Sequence, residues 1–117
     1  MQLLFEHSAE GDTPCLAVLP GRIERLQPAA GLPVPHMGWN TLELTRADEL
    51  FSDIASGERV YFVHGYAAAV SAATIAAVNY GRPLAAAVRH QNFRGVQFHP
   101  ERSATVGAQL LRNFLSL

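Results

Sequence analysis

Hydrophobic and polar positions change rhythm along this chain, and each change marks an element. The densest apolar block is central. Val60-Tyr61-Phe62-Val63 is β-branched and aromatic, the composition that suits a pleated, half-buried strand. Ala73 to Val78 and Leu84 to Val88 are two further apolar runs, parted by the turn sequence Tyr80-Gly81-Arg82-Pro83. With Phe93 to Phe98 they predict three more strands. Upstream, Trp39 to Leu44 alternates through Leu42 and Leu44 and predicts another. Arg22 to Gln27 sets Ile23 and Leu26 among charged positions, a pattern for an edge strand. Cys15 to Leu19 is a short apolar run closed by Pro20-Gly21, and Gln27 to Pro35 holds three prolines and a glycine, so it is loop.

Helical rhythm is confined to the flanks. Leu3-Leu4-Phe5 reads as the end of a helix, stopped by Glu10-Gly11-Asp12-Thr13-Pro14. Ala47 to Phe51 predicts a helical turn that ends near Gly57. In the last segment Val106, Leu110, Leu111, Phe114 and Leu117 recur at helical spacing. Ser103 stands in front of them as a cap, and the face is broad enough to be core. Strands dominate the centre and helices both ends, so the fold class is α/β or α+β with a mixed sheet.

Composition narrows the functional classes. A length of 117 residues predicts one domain or part of one. The 49% hydrophobic and 16% charged fractions are globular. A net charge of -1 offers no basic surplus, which argues against nucleic acid and anionic membrane as partners. No apolar run approaches the roughly 20 residues of a membrane span. Met1 to His7 lacks the basic region and cleavage site of a signal peptide. One cysteine forms no internal disulfide, in keeping with a cytoplasmic setting.

The sharpest chemical signal is Gly95-Val96-Gln97-Phe98-His99-Pro100-Glu101. A strand ends at a histidine, and a carboxylate follows two positions on. Pro100 fixes its own φ and biases His99 towards extended backbone, so the turn is stiff. A carboxylate there can take a hydrogen bond from one imidazole nitrogen and leave the other free to accept a proton. The spacing alone fits equally a strand-end histidine beside a solvated glutamate. Cys15 lies in Thr13-Pro14-Cys15-Leu16-Ala17-Val18 without the small neighbours of a nucleophile elbow, so it reads as a structural, inert thiol. The five histidines show no helical ligand pair. A metal site assembled in space from His36, His64 and His99 is the remaining geometric option. His36 and His64 read better as structural or hydrogen-bonding groups, and no metal or other cofactor is expected.

Taken together, these motifs resemble a known family. Gly95 to Glu101 resembles the block around the catalytic histidine and glutamate of class I glutamine amidotransferases. Pro35-His36-Met37-Gly38-Trp39-Asn40 and Tyr61-Phe62-Val63-His64-Gly65-Tyr66 resemble blocks of those members that serve as glutaminase subunits of imidazole glycerol phosphate synthases. Pro20-Gly21-Arg22 is similar to a loop before that family's central strands. The resemblance runs from Met1 to about Phe114.

The resemblance implies residues 1–117 as the C-terminal portion of a single amidotransferase domain, a flavodoxin-like open mixed sheet flanked by helices, with its N-terminal part absent. It implies hydrolysis of glutamine to glutamate and ammonia by a Cys-His-Glu triad, with ammonia passed to a cyclase subunit in histidine biosynthesis. His99 and Glu101 take the catalytic positions. Gln2, Gly65 and Tyr66 take substrate-binding positions, and Trp39, Asn40, Tyr61 and Arg102 the partner interface. Met1-Gln2-Leu3-Leu4-Phe5-Glu6 is similar to the start of the helix behind the nucleophile, which places the triad cysteine just upstream of Met1. Two residues depart from the pattern. Gly65 stands for a usual serine or threonine, which removes a hydroxyl but keeps the backbone donor. Arg102 stands for a usual lysine, which puts any ion pair to the partner there in question. Two alternatives stay open: a subunit that docks on the synthase without turnover, and another class I amidotransferase, against which Pro35 to Asn40 argues.

Overall fold

A computed structural model describes residues 1–117. Ten strands precede one α-helix. In chain order they are β1 (His7–Ser8), β2 (Thr13–Pro14), β3 (Arg22–Arg25), β4 (His36–Thr41), β5 (Glu43–Leu44), β6 (Arg59–His64), β7 (Tyr66–Ala67), β8 (Thr74–Asn79), β9 (Pro83–His90) and β10 (Phe93–Val96), followed by α1 (Ala104–Leu115). Single 3-10 turns lie at Gln2–Leu4, Glu49–Phe51 and Pro100–Arg102. The strands form three sheets, ordered β2-β1-β3-β7, β10-β9-β8-β5 and β4-β6. The first sheet is mixed through one parallel pair, β1 with β3, and the other two are antiparallel. No helix is long and apolar enough to cross a membrane.

The apolar runs of the centre become the core. β8 and β9 pair antiparallel around the Tyr80–Arg82 turn, and each buries five consecutive positions. Burial on both faces explains why these strands read as continuous apolar runs and not as alternation. Ile75, Val78 and Leu84 pack with Leu42, Val60, Phe62, Phe98 and Leu110 in the main cluster. A smaller cluster joins Phe5, Leu19 and Ile23 to Ala68, Ala85 and Val88. Asp48 clamps the edge of this sheet. Its carboxylate, 1% exposed, takes hydrogen bonds from Arg89 of β9 and Arg94 of β10, both at 2.9 Å, and from the Leu50 N–H at 2.9 Å.

Several expectations need correction. The helix at Leu3–Phe5 is only the turn Gln2–Leu4, because β1 begins at His7. The predicted edge strand at Arg22 lies inside its sheet, between β1 and β7. Trp39 to Leu44 is two strands, broken at Leu42, whose backbone turns away to bond Gly57 and Glu58. β7 carried no apolar run long enough to announce it. The face of α1 is less buried than its spacing suggested. Leu110 is 3% exposed, but Leu111, Phe114 and Leu115 are 44%, 56% and 83% exposed. α1 instead meets the chain through Gly107, where a Cβ would fall 1.8 Å from the Pro100 carbonyl oxygen. Only glycine lets the helix close on the turn that follows His99.

Candidate functional site

The end of β10 delivers His99 to this turn. Phe98 is buried against Phe62, with ring centroids 5.9 Å apart, so the next residue is held at the core's rim. Both backbone groups of His99 are then tied. Its N–H donates to the Tyr61 carbonyl at 2.9 Å. Its carbonyl accepts from the Ser103 hydroxyl at 2.7 Å, and that oxygen accepts from the Tyr61 N–H at 3.0 Å. Ser103 was expected to cap α1, but its side chain makes no cap bond. It closes a hydrogen-bonded ring that fixes His99 to β6.

The side chains expected to work together do meet. His99 Nδ1 lies 2.9 Å from Glu101 Oε1. A carboxylate only accepts, so Nδ1 carries the hydrogen, and in the neutral ring Nε2 presents its lone pair. The two side chains are 42% and 61% exposed, so the lone pair is open to a reacting group.

Gln2, Gly65 and Tyr66, expected to bind substrate, line one cleft of about 400 Å³ together with Glu10, His64 and Gln97. Gly95 makes this possible. A Cβ there would sit 3.1 Å from the Met1 backbone, so a bare glycine lets the chain start close on β10. The Gln2 amide nitrogen donates to the Tyr66 carbonyl at 2.8 Å and to Gln97 Oε1 at 2.7 Å. His99 does not line this cleft, but Gln97, which does, sits two positions before it in the chain.

The expected interface residues divide between two faces of the β4–β6 pair. Trp39 stands opposite Tyr61, ring centroids 6.0 Å apart and edge-on. The Arg102 guanidinium lies 4.7 Å over the Tyr61 ring, a cation–π contact. Trp39 and Met37 are 46% and 62% exposed there. Asn40, grouped with Trp39 by sequence, turns to the opposite face and bonds His36 and the Asn79 carbonyl.

That inner face buries His36 and His64, 3% and 7% exposed, with His36 stacked between Phe62 and Tyr80. Burial pushes the His36 pKa down from 6.5 to about 4, helped by the charge of His64. Burial likewise lowers His64; the Tyr66 carbonyl opposes the shift and the charge of His99 adds to it. Both rings are therefore neutral at neutral pH. Cys15 is partly buried. Its thiol donates to the Thr13 carbonyl at 3.5 Å and lines a neighbouring cleft, beside Leu3 and Ser8, that shares Gln2 and Glu10 with the first.

Sequence reasoning left Gln97 and Ser103 without a role at the site. Gln97 was signalled only by its place in the same block, two positions before His99. Ser103 had no such signal, because its partner Tyr61 is distant in sequence.

Comparison with known proteins agrees in direction. Residues 1–117 match the family model described as Glutamine amidotransferase class-I. The chain is similar to the protein named imidazole glycerol phosphate synthase subunit HisH of Xylella fastidiosa strain 9a5c, 54% identical over all of this chain and 58% of the relative. The protein of the same name from Xanthomonas euvesicatoria pv. vesicatoria strain 85-10 is 52% identical over the same shares. The chain thus spans 58% of the length of these curated relatives.

Proposed function

We propose, from the premise that this chain belongs to the class I glutamine amidotransferase family, that it supplies the base and the amide-binding wall of a glutamine-hydrolysing site. Residues 1–117 form the C-terminal portion of one such domain. The observation that carries this reading is the His99–Glu101 pair, 2.9 Å apart at a strand end stitched to β6.

His99 Nε2 takes the proton of a cysteine thiol, and the thiolate attacks the carbon of the glutamine side-chain amide. The C–N bond breaks as His99 returns the proton to the leaving nitrogen, which departs as ammonia. Water, deprotonated by His99, then attacks the thioester and releases glutamate and the thiolate. Glu101 holds the tautomer throughout. Gln2, Gly65 and Tyr66 seat the substrate. We place the attacking thiol outside residues 1–117, since Cys15 bonds Thr13. Ammonia passes to a cyclase subunit docked on Trp39, Tyr61 and Arg102, in a cytoplasmic heterodimer. The apolar, cation-edged exposure of those three residues supports that face, and the relatives' shared name, a subunit of imidazole glycerol phosphate synthase, supports assembly into a synthase.

The test is His99→Ala in the complete domain assembled with the cyclase, read as glutamine turnover. Loss of about a thousandfold or more is expected; turnover within twofold of the parent sinks the assignment. A docking chain without turnover is the second reading, favoured by the position of the Cys15 thiol. Capture of the cyclase by this chain, with no glutaminase activity in the complex, decides for it.

A further inference from the structure

Two buried histidines have no part in the chemistry assigned to His99. His36 and His64 face each other across β4 and β6, and every nitrogen of both rings has a partner. The direction of each bond follows from the ends. The Tyr66 carbonyl only accepts, so His64 Nδ1 carries a hydrogen and donates to it at 2.9 Å. A neutral imidazole has one N–H, so His64 Nε2 is a lone pair and accepts from His36 Nδ1 at 2.8 Å. His36 Nε2 is then bare and accepts from the Asn40 amide nitrogen at 3.3 Å. Asn40 cannot be reversed. Its nitrogen also donates to the Asn79 carbonyl at 3.0 Å, and its oxygen accepts the Thr41 N–H at 2.8 Å. At the other end the Tyr66 carbonyl also takes a hydrogen from Gln2, whose second amide hydrogen goes to Gln97.

We propose that His36 is a positioning residue for the amide-binding cleft: it locks His64 in the neutral Nδ1–H tautomer, which clamps the Tyr66 carbonyl and through it the Gln2 amide. The proposal deepens the reading of that cleft as the glutamine site and rests on it. The lock has two effects. By filling the His64 lone pair, His36 keeps a second positive charge away from the proton that His99 must accept. By fixing the Tyr66 carbonyl from one side, the pair decides where the Gln2 amide, held from the other, presents its free oxygen to a ligand. A buried polar chain of this kind is costly when one member is missing, which makes the lock sensitive to a single substitution.

The experiment uses the 15N-labelled complete domain. Long-range proton–nitrogen spectra at neutral pH are expected to show both His36 and His64 as neutral Nδ1–H tautomers, with a nitrogen–nitrogen coupling through the bond between His36 Nδ1 and His64 Nε2. Titration with glutamine is expected to shift the Gln2 side-chain amide signals. His36→Leu keeps the apolar stacking but removes the donor; it should release the His64 tautomer and weaken glutamine binding about tenfold. His36→Asn puts an amide N–H where Nδ1–H was and should restore both within about threefold. Either ring found protonated or as the Nε2–H tautomer in the parent chain, with glutamine still bound, overturns the lock alone. Both tautomers as expected, with no glutamine-dependent shift at Gln2, overturns the reading of the cleft and leaves the lock without a ligand to serve. Equal glutamine affinity in His36→Leu and the parent overturns the positioning role even where the tautomers are as expected. The parent measurement decides the tautomers whether or not a variant folds.

Discussion

The β8–β9 pair and the β4–β6 pair are built on opposite plans. Both are antiparallel and both feed the same core. β8 and β9 bury five consecutive positions each, and β9 fills three of its five with alanine. Both of their faces are occupied, and neither is free to meet a ligand. β6 buries alternate positions, Val60, Phe62 and His64, while β4 buries only His36 and then alternates exposed with half-exposed positions. Their inner face carries His36 and His64 in a saturated hydrogen-bond chain, and their outer face carries the exposed Trp39 and a half-buried Tyr61. The difference teaches where chemistry can sit in a small fold: on the strands that alternate, whose burial is half spent on packing and whose remaining positions are available.

The largest expected effect separates the two pairs by burial alone. Leu84 in β9 is fully buried, so Leu84→Ala should cost about 3–5 kcal/mol of stability, the loss for a cavity that cannot collapse. Trp39 in β4 is 46% exposed, and Trp39→Ala should cost no more than about 1 kcal/mol, from its lost contact with Tyr61. Urea denaturation of the two variants measures both. Equal losses would break the comparison, because the outer face of β4 would then be part of the core.

Acid should take the two pairs apart in different windows. The buried histidines bind protons less readily folded than unfolded. Below 6.5 an unfolded His36 is protonated while the folded one refuses the proton until about 4, so this pair loses stability as pH falls through that range. Asp48, which ties β9 and β10, behaves otherwise. Burial raises its carboxyl pKa, but the Leu50 N–H and the guanidiniums of Arg94 and Arg89 outweigh burial and hold it below the usual 3.8. Its contribution is complete above 3.8 and is lost only as pH falls through the folded value. Asp48→Asn should therefore cost about 2–3 kcal/mol at neutral pH. The gap to the parent should persist to about pH 4 and narrow below it. Urea midpoints along a pH series test this: a gap that stays constant into strong acid contradicts the Asp48 clamp, and a parent chain equally stable at pH 7 and pH 5 contradicts the histidine window.

This contrast also decides what was legible in the sequence. β8, β9 and the core of β6 were read because long apolar runs leave few other conformations. The His99–Glu101 pair was read because both residues lie in one short block with Pro100 between them. The resemblance grouped Gln2, Gly65 and Tyr66, and the structure places all three on one cleft. The resemblance grouped Asn40 with Trp39, and the structure turns it to the opposite face, because the motif gives its neighbourhood and not its orientation; the strand's period of two, counted from Trp39, carried that information. β3 was taken for an edge because its charged positions look solvated, yet backbone pairing to β1 and β7 leaves room for Arg22 and Glu24 to reach solvent. What stayed illegible was contact between distant segments: Gln2 with Gln97, His36 with His64, and Ser103 with Tyr61.

Ser103 gives the smallest and most discriminating test, because its stability effect has a close match in the other pair. Ser103→Ala removes a fully buried hydroxyl and leaves the Tyr61 N–H without its acceptor, at a cost of about 1–2 kcal/mol. Thr74→Val in β8 removes a hydroxyl that accepts the Ser71 N–H at 2.9 Å and should cost a similar amount. The two variants should part in activity. Ser103 holds the carbonyl of His99, so on the proposed reading of His99 as the base, in the complete domain assembled with the proposed cyclase, Ser103→Ala should lower kcat about tenfold with little change in KM, since a misplaced base weakens the transition state more than substrate binding. Thr74→Val touches nothing near His99 and should leave both constants in place. Matching kcat values would mean that the ring around His99 supports the fold without aiming the base, and that the division between a packing pair and a chemical pair stops short of residue 103.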